Sequence, residues 1–162
     1  MSKIKLSILL LISFFVFSCT NNQHNHSNQK YSLAYIGGEY DGLLLKNYLT
    51  NGLKNLKVHD QNSNFEIQAS ISHSSNLYIT NIDNTSDREK INTKLSIKIE
   101  DKKSNCIVFD DEIIVSQFYI YASSDKFLSN QIAFKKIKKN NTESTVKQFI
   151  NKLKKIDGQC NE

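Results

Sequence analysis

From Ile91 to Glu100 the chain alternates without a break: Ile91, Thr93, Leu95, Ile97 and Ile99 on one side, Asn92, Lys94, Ser96, Lys98 and Glu100 on the other. Successive side chains of a strand point to opposite faces, so this segment must be a strand with one face buried and one face wet. A shorter run does the same, with Phe65, Ile67, Ala69 and Ile71 set against Glu66, Gln68, Ser70 and Ser72. A turn at Asp101 to Asn105 leads to a third strand from about Cys106 to Tyr121. There Ile113, Val115, Gln117, Tyr119 and Tyr121 share one face, and Ile114, Ser116, Phe118 and Ile120 share the other. Both faces are largely apolar, so this strand is either covered twice or meets a partner.

Around these strands the hydrophobic period lengthens. Tyr31 to Ile36 predicts a short strand ending at Gly37-Gly38, where the backbone can turn tightly. From Asp41, a plausible N-cap, Leu44, Leu45, Tyr48, Leu49, Leu53 and Leu56 recur three and four apart and predict a helix, slightly weakened by Gly42 and Gly52. A second helical stripe runs through Ile132, Ala133, Ile137, Val146, Phe149, Ile150, Leu153 and Ile156. It reads as one long helix or as two joined near Asn140-Asn141, since Asn is a good cap and a poor interior residue. The order predicts an α/β domain over residues 31–157, an α+β two-layer sandwich with a four-stranded mixed sheet and two helices packed on one face. Residues 158–162 form a tail.

The N-terminus reads as an address. Lys3 and Lys5 precede an apolar run from Leu6 to Phe17, too short to span a bilayer, so residues 1–18 are expected to be a signal peptide. Val16-Phe17-Ser18-Cys19 resembles the bacterial lipobox. That implies a diacylglyceryl group on Cys19, cleavage before it, and a protein anchored by acyl chains. Thr20 after the cysteine resembles cargo sorted to the outer membrane. Residues 19–30 are polar and aperiodic, as expected of a lipidated flexible linker. His24 and His26 lie there without the further ligands that a metal site requires. Residues 19–162 keep 19 of the 21 basic residues and all 16 acidic ones, a net of +3. So weak an excess points away from nucleic acid.

Catalytic signatures are absent. The chain has no G-x-S-x-G, H-E-x-x-H, G-K-[ST] or C-x-x-C, and His59 and His73 are isolated in sequence. Asp110 and Asp111 are adjacent in a strand and therefore face apart. No enzyme, cofactor or metal is expected. Cys106 and Cys160 remain as a candidate disulfide, because a helix packed back along the third long strand returns its end near Cys106; two unpaired thiols are the alternative.

The lipobox, the strand and helix, Thr85-Ser86-Asp87-Arg88-Glu89-Lys90-Ile91 entering the alternating strand, the strand pair and the basic amphipathic C-terminal helix together resemble the LPS-assembly lipoprotein LptE family. The resemblance implies a non-enzymatic outer-membrane lipoprotein that plugs and supports the LptD β-barrel and assists lipopolysaccharide transport. Arg88, the only arginine, stands near Lys90 and Lys94 as a candidate contact for lipopolysaccharide phosphates, because a guanidinium can clasp a phosphate through two bonds. The same residues also suit a solvated strand edge. The alternative function is an auxiliary lipoprotein of an inner-membrane lipid ABC transporter, or a periplasmic ligand-binding lipoprotein.

Overall fold

The chain leaves its first strand through Gly38, whose φ of 117° lies where a side chain would be strained. A Cβ there would also stand 2.7 Å from both the side chain and the carbonyl oxygen of Ile71. The computed structural model describes residues 29–79, 87–120 and 126–160. The expected signal peptide, Cys19, His24, His26, Thr85, Ser86 and Tyr121 lie outside the described residues. The elements follow the order β1 (Tyr31–Gly37), α1 (Glu39–Asn55), β2 (Phe65–Ile79), β3 (Asp87–Asp101), β4 (Cys106–Ile120) and α2 (Phe127–Leu153).

Strand order in the sheet is β1-β2-β3-β4. β1 and β2 are parallel, with α1 as the crossover, and the β2–β3 and β3–β4 pairs are antiparallel, so the sheet is mixed as expected. β1 pairs only with Phe65 to Ser70, and the rest of β2 runs on to Ile79 beside β3. Alternation on β3 sorts the two layers. Ile91, Thr93, Leu95, Ile97 and Ile99 are buried beneath the helices, and the even-numbered residues face away.

α1 buries Leu45, Leu49 and Leu53, one turn apart, against β1 and β2. It starts two residues before the expected Asp41, with Gly38 as its N-cap and no side-chain cap. Asp41 is therefore not the cap; its carboxylate turns toward Lys138 instead. Gly52 has a packing reason, since a Cβ there would meet the Ile150 side chain of α2 at 2.8 Å.

α2 is one continuous helix through Asn140-Asn141. Asn141 is fully buried and its Nδ2 donates to the Ile91 carbonyl at 3.3 Å, so a residue poorly suited to helix interiors is held by the sheet below. The buried stripe is Asn130, Asn141, Thr142, Thr145, Val146, Phe149 and Leu153. Ile132 is not part of it and is 67% exposed. At 100° per residue it sits nearly opposite Asn130.

A bulge decides the other end of the sheet. Ile99 pairs with Phe109 but Glu100 pairs with Ile107, leaving Val108 as an extra residue that turns into the core. The shift reverses the parity of the residues before it, so Cys106 pairs with Asp101 on the helix-covered side and Ile107 is exposed. Without the extra residue Cys106 would face away from α2. With it, Cys106 and Cys160 are bonded, their Cα atoms 5.7 Å apart across a sequence separation of 54.

Two measurements test this packing. Phe149→Ala is expected to lower unfolding free energy by about 3–5 kcal/mol, whereas Ile132→Ser should change it by less than about 0.5 kcal/mol, both read by denaturant titration. Replacing Cys106 and Cys160 together by Ser is expected to cost roughly 4 kcal/mol through the loop it opens, and the unreduced parent should show neither thiol to an alkylating reagent.

Candidate functional site

Three of the residues singled out in the sequence lie on β3 at even positions, which places all of them on the sheet face away from the helices. Register then decides their neighbours. Arg88 lies between Tyr78 of β2 and Ile120 of β4, and Lys90 lies between Asn76 and Phe118. The Lys90 Nζ stands 5.7 Å from the centroid of the Phe118 ring, within reach of a cation–π attraction. Phe118 in turn meets Tyr78 edge to face, with centroids 5.8 Å apart. Tyr78, Phe118 and Ile120 are 45%, 56% and 71% exposed, which is unusual for large apolar groups so close together. The far end of this face is thus a cationic and aromatic surface, with no ion pair to Arg88 or Lys90 among the described residues.

Lys94 is different. Its Nζ lies 2.8 Å from Glu112 Oε1, and this bond, together with one from Ser96, holds the Glu112 carboxyl below the usual carboxylate range. Its charge is offset on the surface, so the structure groups Arg88 with Lys90 and sets Lys94 apart. The aromatic partners were only half visible in the sequence. Phe118 and Ile120 belonged to an apolar strand face, but Tyr78 follows the polar run Ser72 to Asn76, whose weak alternation hides that β2 continues to Ile79.

The opposite face holds a second constellation. His73 is in mid-strand, its side chain 4% exposed, with Nδ1 2.8 Å from Thr93 Oγ1 and Nε2 3.5 Å from Asp41 Oδ2. Lys138 of α2 reaches the same Asp41 oxygen at 3.3 Å and lies over the Phe134 ring at 5.0 Å. Four elements thereby meet at one buried polar point. Burial pushes the His73 pKa down, Asp41 raises it in part, and Lys138 lowers it further. Thr93 is fully buried, so this is a tie between layers rather than a nucleophile with its base. Beside it, between the first turns of α1 and the N-terminal half of α2, opens a groove of about 980 Å³.

The remaining sequence candidates settle simply. Asp110 and Asp111 do face apart: Asp111 bonds Lys152 of α2, and Asp110 pairs in register with Lys98 on the other side. His59 bridges to Tyr31 and helps start β1. No group of three or more His, Cys, Asp or Glu could hold a metal among the described residues. No helix among them is long and apolar enough to cross a membrane.

No protein-family model and no curated protein matches the sequence. Among solved structures, the minor lipoprotein from Acinetobacter baumannii is similar over 83% of this chain and 97% of its own, at 14% identity and a TM-score of 0.61. Rare lipoprotein B from Shewanella oneidensis is similar over 76% and 96%, at 10% identity and a TM-score of 0.53. The chain has the fold of these bacterial lipoproteins. At such identities the likeness is one of backbone.

His73 gives a direct test. Its folded pKa lies below the ordinary 6.5, so in the window beneath 6.5 the unfolded chain binds more protons than the folded one. Its contribution is whole above pH 6.5 and is lost as pH falls toward the lower folded value. Urea midpoints measured between pH 7.5 and 5.5 should decline with falling pH, and His73→Gln should flatten that decline.

Proposed function

We propose that this chain is a non-enzymatic outer-membrane lipoprotein, anchored through acyl chains on Cys19, that seats against an LptD-like β-barrel and assists lipopolysaccharide transport. The observation that carries the reading is the uncovered sheet face, whose far end sets Arg88 and Lys90 among Tyr78, Phe118 and Ile120. An arginine can bind a phosphate through two parallel bonds, and the aromatic surface beside it suits the apolar part of the same molecule. The rest of that face is mainly polar apart from the exposed Ile114, and its Ser72, Ser74, Asn76, Asn92 and Ser116 suit a hydrated barrel lumen. Support for the setting comes from the lipobox-like Val16 to Cys19 and from the fold shared with rare lipoprotein B.

The partner is tested by a mild-detergent pull-down of the tagged full-length protein from its own outer membrane. One large β-barrel protein recovered at near-equal amount is the expected result. Recovery of transporter subunits would instead favour the auxiliary-lipoprotein alternative. The surface is tested by lipopolysaccharide binding: Arg88→Ala is expected to weaken it about tenfold or more, the size of one charge-assisted bond, and Lys90→Ala comparably. Lys94→Ala should have little effect, since Lys94 is already engaged by Glu112. Equal affinity in all three variants would remove this face from the site.

A further inference from the structure

The groove on the helix side follows from a mismatch of lengths. α1 has 17 residues and α2 has 27, and they run side by side in the same direction, with Lys138 beside Asp41 and Ile150 beside Gly52. The first turns of α2 therefore overhang the start of α1. The far halves of β2, β3 and β4 also extend past the end of β1. Between overhang and sheet lies the space of about 980 Å³, at the upper end of the roughly 300–1,000 Å³ that small-molecule sites occupy.

Its walls are mostly apolar in area, with Asn47, Asn130 and Gln131 set among them. Leu43 and Leu44 come from α1, Phe127 and Phe134 from α2, and Leu43 and Phe127 are more than half exposed. The two carboxylates that line it are both engaged: Asp41 by Lys138, and Glu89 by the hydroxyl of Tyr119. Lys135 and Lys139, one turn apart on the rim, meet no carboxylate among the described residues. The result is an apolar trough with surplus positive charge at its edge. Neither a neutral ligand nor a fully polar one would use both features.

We infer that this groove binds a single-chain anionic amphiphile, its acyl chain lying along Leu43, Leu44, Phe127 and Phe134 and its anionic head meeting Lys135 and Lys139. The inference is independent of the proposed barrel partnership, which concerns the opposite face of the sheet. Fatty acids and lysophospholipids share this chemistry and differ in the head, carboxylate or phosphate.

The test uses full-length protein in its own membrane with two photoactivatable probes, a diazirine fatty acid and a diazirine lysophosphatidylglycerol. After irradiation the labelled peptides are mapped by mass spectrometry. Labelling is expected to concentrate on residues 40–47 and 127–139, and to be competed by the unlabelled form of whichever probe reacts. A response to one probe alone identifies the head group; a response to both shows that either anion suffices. Lys135→Glu combined with Lys139→Glu, a surface change that should leave thermal unfolding unaltered, is expected to cut labelling by the anionic probes at least tenfold while sparing a diazirine alcohol of equal length. Leu43→Glu should abolish labelling by all three. Labelling spread evenly over exposed apolar residues of both faces, or unaffected by these variants, would overturn the inference, whatever the pull-down had shown about a barrel.

Discussion

The centre of the structure is the contact between one face of β3 and both helices. Leu95, Ile97 and Ile99 are almost wholly removed from water, and the leucines of α1 together with Val146, Phe149 and Leu153 of α2 close over them and their neighbours on β2 and β4. Burial of apolar surface is the main favourable term in folding, and here it is concentrated in one layer because a sheet with helices on one side has only one place to put it. Everything else follows from that commitment. If the odd-numbered residues of β3 are inside, the even-numbered ones are outside, and Arg88, Lys90 and Lys94 have no choice of face.

Polarity divides this core along its length. Near the disulfide it is apolar, with Phe109 and Phe149 in ring contact at 6.0 Å. Toward the groove it becomes polar, with Asn141, Thr142, Thr145, Thr93 and His73 buried in succession. Hydrogen bonds to Ile91, Lys138, Thr142 and between His73 and Thr93 keep most of these groups satisfied, which a buried polar group requires. The belt has a directional consequence: apolar packing holds the helices tightly at one end, and the Asp41 to Lys138 pair holds them at the other, just where the groove begins.

The two unlike surfaces come from the same overhang. Where the three long strands outrun β1 and α1, their outward face carries Arg88, Lys90 and the aromatic cluster, and their inward face is roofed only by the start of α2. One side is flat and suits a broad partner. The other is concave and suits a ligand that can be enclosed. Beside the concave side stands the buried His73, with Thr93, Asp41 and Lys138 around it.

Much of this was legible from residue order alone. Periods of two and of 3.6 are local properties, written in a dozen consecutive residues, so the four strands, the two helical stripes, their order and the uncovered face could be read directly, while the second stripe stood open as one helix or two. The neighbourhood of Cys106 and Cys160 followed from element lengths. What sequence could not carry was anything that depends on register between distant segments. The bulge at Val108 that turns Cys106 inward, the engagement of Lys94 by Glu112, and the meeting of Tyr78 with Phe118 are each set by which residue lies opposite which. Asn140-Asn141 left one helix or two open because Asn disfavours helix interiors, and the bond from Asn141 to the Ile91 carbonyl beneath it is a contact that periodicity does not show. Elements and their faces were thus written in local periodicity, whereas the pairings, the groove and the two surfaces came only with folding, because they arise from contacts between residues that local periodicity never relates.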